Sequence, residues 1–120
     1  MNLNLISVRR QKVHRLQLRR QTLEQVALAR DPMVAGSLLE RRLRPGGPVV
    51  YYLSIHTPNN SCHRYVRKEE VDEYRAKAQV RRQFVHSLAE WVVVNKAIIK
   101  ELRAIGRDRC EKTVIRGRHR

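Results

Sequence analysis

The longest apolar pattern in this chain runs from Arg67 to Ile105. It repeats every seven residues in three neighbouring columns, which together form one broad stripe of the kind that faces a core. No glycine or proline interrupts it before Gly106, and several acids near its start suit the positive end of a helix dipole. The pattern predicts one helix over Arg67–Ile105, roughly 57 Å long. The columns are Val71, Ala78, Val85, Val92 and Ile99; Tyr74, Arg81, Leu88, Asn95 and Leu102; and Phe84, Trp91, Ile98 and Ile105.

Two polar residues, Arg81 and Asn95, interrupt these columns. Polar residues at such positions often fix the register or the number of partner helices at some cost in stability. Replacing Asn95 by Leu should therefore raise stability while loosening the oligomeric state or the helix pairing.

A second helix is predicted over Arg9–Arg30, where helix-forming residues dominate and neither glycine nor proline occurs. It should end before Pro32, since the residue preceding a proline avoids the helical region. Residues 1–8 alternate between polar and apolar, and this short pattern is compatible with either a short strand or the frayed start of a helix. We expect this helix to pair with the long one through Val13, Leu16, Leu23, Val26 and Ala27, although Arg20 also lies on that stripe.

Between the two helices, the pattern changes to the alternation that is typical of strands. The strongest strand is Val49–Ile55, which is rich in β-branched and aromatic residues. Turn-forming residues at Arg44–Pro48 and Thr57–Ser61 separate it from two shorter strands, Leu38–Leu43 and Cys62–Val66. Three strands joined by short turns predict an antiparallel meander, which needs a helix against one face.

The predicted fold class is therefore α+β: an N-terminal helix, a three-stranded antiparallel β-meander, and one long C-terminal helix that pairs with the first. Residues 1–106 are predicted to form a single domain. Residues 107–120 are predicted to form a basic tail that is disordered when free, because it has little apolar content. A helix-turn-helix built from Thr22–Ala27 and Met33–Ser37 is disfavoured, because Gly36 would interrupt its second helix.

Charge favours a polyanionic partner. The chain has 26 Lys and Arg against 11 acids, a formal net charge of +15, and twenty of the 26 are Arg. The guanidinium fork matches phosphate oxygens, so this bias favours nucleic acid, either DNA or RNA. The candidate nucleic-acid-binding residues are Arg41, Arg42, Arg44, Arg64, Arg75, Arg82, Lys96, Lys100, Arg103, Arg107, Arg109, Lys112, Arg116 and Arg118.

Four of these residues form a predicted ladder along the long helix. Arg75, Arg82, Lys96 and Arg103 share one side of it, flanking the apolar stripe, over roughly 42 Å. The N-terminal helix is itself basic, so an external polyanion explains the ladder better than pairing within the chain.

Aromatic residues are interleaved with arginines on the predicted sheet. Tyr51, Tyr52 and Tyr65 could stack on bases, as aromatics do in single-strand binders. Because neighbouring strand residues point to opposite faces, at least one of Tyr51 and Tyr52 should belong to the core.

Enzyme and metal chemistry find little support. No phosphate-binding loop, zinc-protease or nucleophile-elbow motif occurs, and the acids gather on one helix turn, whereas a metal-dependent nuclease needs converging carboxylates. His56, Cys62 and His63 could approach one another, but Cys62 and His63 should face opposite sides of a strand. We therefore expect a non-enzyme with no metal and no cofactor. Two cysteines, no signal peptide and no membrane span indicate a soluble cytoplasmic protein.

A set of short segments between the first helix and the start of the long one forms a further pattern: Gly36-Ser37-Leu38, Glu40-Arg41, Pro48, Tyr51-Tyr52-Leu53 and Arg64–Glu69 before the long helix. In these segments the chain resembles a family of small, basic, uncharacterised bacterial and archaeal proteins often encoded beside transposases. The resemblance covers about residues 36–102. Family members commonly carry several cysteines in the first turn, and this chain has none there, so any metal role in relatives does not extend to it. The resemblance implies only a mobile-element or nucleoprotein setting and no catalytic residues.

The sequence thus predicts a non-catalytic nucleic-acid-binding accessory protein of a mobile-element or nucleoprotein assembly, which holds the phosphate backbone through Arg and Lys. Its expected partners are DNA or RNA and a larger protein or nucleoprotein complex. The alternative is a helical interaction module that docks on a larger enzyme or forms a homo-oligomer through the long helix.

Overall fold

The computed structural model describes residues 3–111 and confirms the predicted α+β fold. Its elements are α1 (Leu3–Ala27), β1 (Ser37–Arg42), β2 (Val49–Thr57), β3 (Asn60–Val66), a 3-10 turn (Lys68–Glu70) and α2 (Val71–Arg109). The strands form an antiparallel sheet in the order β1-β2-β3, and α2 packs on α1. Within residues 3–111, neither helix contains a stretch that is long and apolar enough to cross a bilayer.

The ends of both helices differ from the prediction. The N-terminal segment, for which the sequence allowed either a strand or a helix, is helical from Leu3. Helix α1 ends at Ala27, three residues before the predicted end at Arg30. The prediction that Gly106 ends the long helix is wrong, because α2 continues to Arg109. Gly106 does not have a positive φ, and Asp108 beyond it is held by an ion pair to α1. Residues 107–109 are thus helical, and 112–120 of the predicted tail lie outside the described residues.

The chain divides into two compact units. The first, which we call the helix pair, contains α1 to Gln25 and α2 from Leu88. The second, which we call the sheet unit, contains Val26–Ser87, with the sheet and the first part of α2. The single domain over residues 1–106 remains a prediction.

The helix pair is antiparallel. The core consists of Val13 and Leu23 from α1 with Val94 and Ile98 from α2, and Leu16, Trp91 and Ile105 pack at its edge. Ion pairs at the two ends fix the direction: Arg9 contacts Asp108 at 2.8 Å, and Arg19 contacts Glu90 at 2.6 Å. Trp91, expected in the core, also donates its indole N–H to Glu24 at 2.9 Å.

The predicted apolar stripe is only partly the buried one. Its first column is buried at Val71 and Ala78 but is exposed at Val92 and Ile99. Val71 belongs to the core of the sheet unit, whereas within the helix pair it is the column of Ile98 that packs on α1. The buried side of α2 is therefore not the same in the two units.

The sheet unit has its core on one face of the sheet. Leu53, Val66 and Val71 form that core, against which Leu38, Tyr51, Ile55 and Tyr74 pack. The first turn contains Gly46 at φ 73°, a conformation that glycine adopts without steric cost. The second turn is tighter than predicted, because Thr57 pairs with Asn60 across two residues. Residues 28–36 contain no helix, so a helix-turn-helix is not formed.

Candidate nucleic-acid interface

The face of the sheet opposite the core carries aromatic rings. Tyr52 on β2 lies opposite Tyr65 on β3. The next residue of β2 is Leu53, which is buried in the core and lies opposite Arg64. Since side chains alternate along a strand, both rings point away from the core. Their centroids are 6.0 Å apart in an edge-on arrangement, and the ring of His63 lies 6.4 Å from that of Tyr52.

A cation completes this cluster. The guanidinium carbon of Arg41 lies 5.9 Å from the centroid of the Tyr52 ring, within cation–π range. Tyr65 is 59% exposed although it is a large aromatic residue, and Arg41 and His63 are exposed as well. We call this set of four residues, Arg41, Tyr52, His63 and Tyr65, the aromatic face.

The aromatic face has the components of a stacking platform. A flat exposed ring attracts an unpaired base whatever its identity, because every base has a π-face. Arg41 places a fixed positive charge beside the rings, where a phosphate oxygen can be bound. Because the strands of the sheet already fix the positions of these residues, binding of a ligand costs little conformational entropy at this site.

Tyr51 belongs to the core, as expected for one of the two neighbouring tyrosines. It packs against the cluster of Leu53, Val66 and Val71. The sequence established that Tyr51 and Tyr52 face opposite ways. It did not establish which of them faces solvent, because that depends on the side from which α2 covers the sheet.

Three other predicted basic residues of the sheet region lie away from the aromatic face. The Arg64 guanidinium lies 5.7 Å from the Tyr74 ring, at the core side of the sheet. Arg42 donates from Nη1 to the carbonyl oxygen of Gly47 at 2.7 Å and so braces the first turn. Arg44 lies in that turn and is exposed.

The first half of the predicted ladder already has partners. Arg75 contacts Glu40 at 3.9 Å and Asp72 at 3.6 Å, and Arg82 donates to Gln79 Oε1 at 2.6 and 3.0 Å. Arg75 therefore pairs with an acid of β1, a partner that the sequence analysis did not consider, since it weighed only pairing of the ladder with the N-terminal helix.

A neighbouring contact on α2 also involves an acid. Lys77 donates to Glu73 at 2.7 Å, and this hydrogen bond raises the pKa of Lys77 above its ordinary value. The first turns of α2 in the sheet unit are thus internally compensated.

The second half of the ladder is different. Within the helix pair, Lys96 and Arg103 share one side of α2 with Lys100 and Arg107, and together with Ile99 they line a shallow groove. None of these four cations forms an ion pair with another residue in the range 3–111. We call Lys96, Lys100, Arg103 and Arg107 the basic strip. Arg109 is exposed at the last position of α2.

Ion pairs between the two helices were missed by the sequence reasoning. Glu101 is buried and contacts Arg9 at 3.3 Å and Lys12 at 3.7 Å, and Asp108 also contacts Arg9. The sequence does contain a pattern that predicts these ion pairs: the spacing of Glu90, Glu101 and Asp108 places all three acids on one side of a helix. The basic side of α1 therefore does pair within the chain, with acids that lie on the opposite side of α2 from the basic strip.

The remaining candidates of the sequence analysis lie elsewhere or outside the description. Lys112, Arg116 and Arg118 fall beyond the described residues. In residues 3–111, no three His, Cys, Asp or Glu side chains come together in a way that could hold a metal ion. Cys62 and His63 occupy successive positions of β3 and so face opposite sides of the sheet.

Comparison of this chain with protein-family models, with curated proteins and with solved structures finds no match.

Proposed function

We propose that this protein binds single-stranded nucleic acid on the aromatic face of its sheet. The observation that carries the proposal is the cluster of Tyr52, Tyr65 and His63 on the sheet face opposite the core, with Arg41 against one of the rings. Bases stack on the exposed rings, above all on Tyr65, and Arg41 binds the backbone phosphate beside them.

A single strand fits this face better than a duplex. In a duplex the bases are already stacked on one another, and their π-faces are inaccessible to protein rings. Exposed aromatic rings on a sheet gain most from bases that are splayed out of a strand. A protein that only held duplex phosphates would need the cations but not the tyrosines.

The charge of the chain supports a polyanionic ligand. A formal net charge of +15 raises the local concentration of nucleic acid and accelerates its encounter with the sheet. The same charge gives little sequence information, because phosphate contacts position a nucleic acid but do not read it. Sequence preference would come from stacking or from a partner protein.

The role that fits these properties is that of a non-catalytic accessory protein in a nucleoprotein assembly. The mobile-element setting rests on the resemblance noted in the sequence. We place the protein in the cytoplasm, which is supported by the exposed and unpaired thiols of Cys62 and Cys110.

The test is a binding titration with Tyr65 variants. Labelled single-stranded DNA, single-stranded RNA and duplex DNA are titrated with the native protein, with Tyr65→Leu and with Tyr65→Phe. Stacking of one base contributes about 1–3 kcal/mol, so Tyr65→Leu should weaken single-strand binding by about 5- to 150-fold. Tyr65→Phe is the matched control, and it should bind as the native protein does because it keeps the ring.

Two results would contradict the proposal. The first is unchanged single-strand affinity in a folded Tyr65→Leu variant, which would remove stacking from the account. The second is a duplex affinity equal to or above the single-strand affinity, which would indicate phosphate binding by charge alone. Circular dichroism on each variant establishes that the sheet unit is folded.

A further inference from the structure

An apolar line on α2 has no role in the nucleic-acid proposal. Leu88, Val92, Ile99 and Leu102 lie in the helix pair but outside its core, and each is between 40% and 51% exposed. They occupy a and d positions of successive heptads, with Asn95 at the remaining d position. Such a seam is the sequence pattern of a helix that packs on another helix. We call these four residues the apolar line.

The apolar line is distinct from the face that contacts α1. The core of the helix pair uses Val94 and Ile98 of α2, and Asn95 is turned toward α1, where its Oδ1 accepts a hydrogen bond from Arg20 at 3.0 Å. Residues three or four positions apart form one ridge on a helix surface. The ridge of the apolar line therefore runs beside the α1 contact and is left without a partner among the described residues.

The charged residues that border the apolar line in the shallow groove are all positive. The basic strip flanks it on the side away from α1, and Ile99 lies in the same shallow groove as the four cations. Among residues 3–111, no acid lines this groove. An occupant of the line would therefore meet an apolar ridge bordered by Lys96 and Arg103, with Lys100 and Arg107 one step further around the helix.

We propose that the apolar line docks an amphipathic helix of a partner protein whose apolar stripe is flanked by Asp and Glu. Apolar residues of the partner would cover Val92, Ile99 and their neighbours, and its acids would pair with the basic strip. The line spans roughly 21 Å along α2, which corresponds to about four turns of a partner helix. The inference stands independently of nucleic-acid binding, because it concerns other residues in another unit.

A second copy of this chain does not fit the same surface. Most acids of the helix pair are already used inside it: Glu90 by Arg19, Glu101 by Arg9 and Lys12, Asp108 by Arg9, and Glu24 by Trp91 and Arg20. Two copies docked through the apolar line would bring two basic strips toward each other with no acid between them. Like charges at the edges of a helix pair disfavour that pairing.

The test uses a synthetic probe with the intact protein. The probe is a helical peptide of about three heptads with Leu at a and d and Glu at e and g. A control peptide has Lys in place of each Glu. Binding is measured by fluorescence anisotropy, and the self-association of the protein alone is measured by sedimentation.

Protein variants locate the binding surface. Ile99→Gln combined with Leu102→Gln should weaken binding of the Glu peptide by at least about tenfold, since loss of buried anchor residues dominates interface energies. Replacing Lys96 and Arg103 by Gln should also weaken it. Leu18→Gln is the matched control, because Leu18 is an exposed apolar residue of α1 outside the apolar line, and it should leave binding unchanged. All variants should still bind single-stranded DNA through Tyr65.

Several outcomes would overturn the inference. Equal binding of the Lys peptide, or Glu-peptide binding that the Ile99→Gln and Leu102→Gln variant does not weaken, would remove the apolar line as the site. A dimer of the native protein that dissociates in this variant would assign the line to a second copy. Failure of the Glu peptide to bind, with binding to anionic lipid vesicles that the variant loses, would assign it to a membrane surface.

Discussion

Glu101 is an acid that the helix pair places inside its interface. It is 6% exposed and has two basic partners on α1, Arg9 and Lys12. A buried carboxylate is retained only where its charge is compensated. The basic side of α1 therefore stabilises the helix pair, in addition to contributing to the positive charge of the protein. The net charge alone did not reveal this structural role.

The Glu101→Gln variant should lower the free energy of unfolding by about 1–3 kcal/mol, because the ion pairs of Arg9 and Lys12 with a carboxylate are replaced by weaker contacts with a neutral amide oxygen. Urea denaturation followed by circular dichroism measures the change. Glu111→Gln serves as the control at an exposed acid and should change stability by less than about 0.5 kcal/mol. Equal effects of the two variants would show that the pairs of Glu101 contribute nothing.

Asn95 has a different role from the one its heptad position suggests. Its amide oxygen accepts from Arg20 Nη1 at 3.0 Å, so it satisfies a half-buried guanidinium. Asn95→Leu should consequently lower the free energy of unfolding by about 0.5–2 kcal/mol, where the sequence pattern alone predicted a gain. Asn95→Asp keeps the acceptor and should be tolerated. A stability gain in Asn95→Leu, measured by thermal denaturation, would restore the original interpretation.

At the scale of the elements, hydrophobic periodicity predicted the number, type and order of helices and strands. It did not predict where the helices end. Gly106 looked like a terminator, yet α2 runs through it to Arg109 because Ile105 and Asp108 contact α1 on either side of it. Tertiary contacts of this kind override local propensity and cannot be read from a single segment.

Gly106→Ala tests this interpretation of the helix end. A Cβ at this position meets no atom within 4 Å, and alanine is a better helix former than glycine. The variant should therefore gain about 0.5–1 kcal/mol in free energy of unfolding, measured by urea denaturation. Gly46→Ala is the contrasting control, because a φ of 73° strains alanine. A loss of stability in Gly106→Ala would place the glycine at a helix terminus.

The candidate site was predictable in its parts but not in its assembly. Alternation along β2 separated Tyr51 from Tyr52, and both Tyr65 and Arg41 were recognised as candidates. Their grouping on one face depends on strand register, which pairs Tyr52 with Tyr65 and Arg41 with Val50. A one-residue slip in either hairpin would place these side chains on opposite faces. The turns set the register, and the second turn proved shorter than predicted.

At the scale of the whole molecule, the positive charge serves more than one purpose. Part of it is paired inside the chain, as at Arg9, Arg19 and Arg75, and part is exposed, as on the basic strip. Each cation in direct contact with a phosphate contributes to affinity through counterion release, whereas distant cations act through a field that is screened over about 8 Å at physiological salt.

This difference gives a prediction for salt dependence. Arg41→Gln should weaken single-strand binding at low salt and at physiological salt, and should reduce the slope of log affinity against log salt by about 0.7. Replacing the four residues of the basic strip by Gln should weaken binding at low salt only. If the strip variant is as impaired as Arg41→Gln at physiological salt, the strip contacts nucleic acid itself, as the ladder prediction held.

Base stacking on the aromatic face can be observed by a nuclear magnetic resonance titration of the protein with single-stranded oligothymidylate, followed at the aromatic side chains. Stacked bases shift the ring protons of a residue upfield. We predict such shifts for Tyr65, Tyr52 and His63, and none for Tyr51 or Tyr74, which pack at the core. Shifts confined to the backbone of residues 96–107, with the Tyr65 ring unaffected, would contradict the account and move the nucleic-acid site to α2.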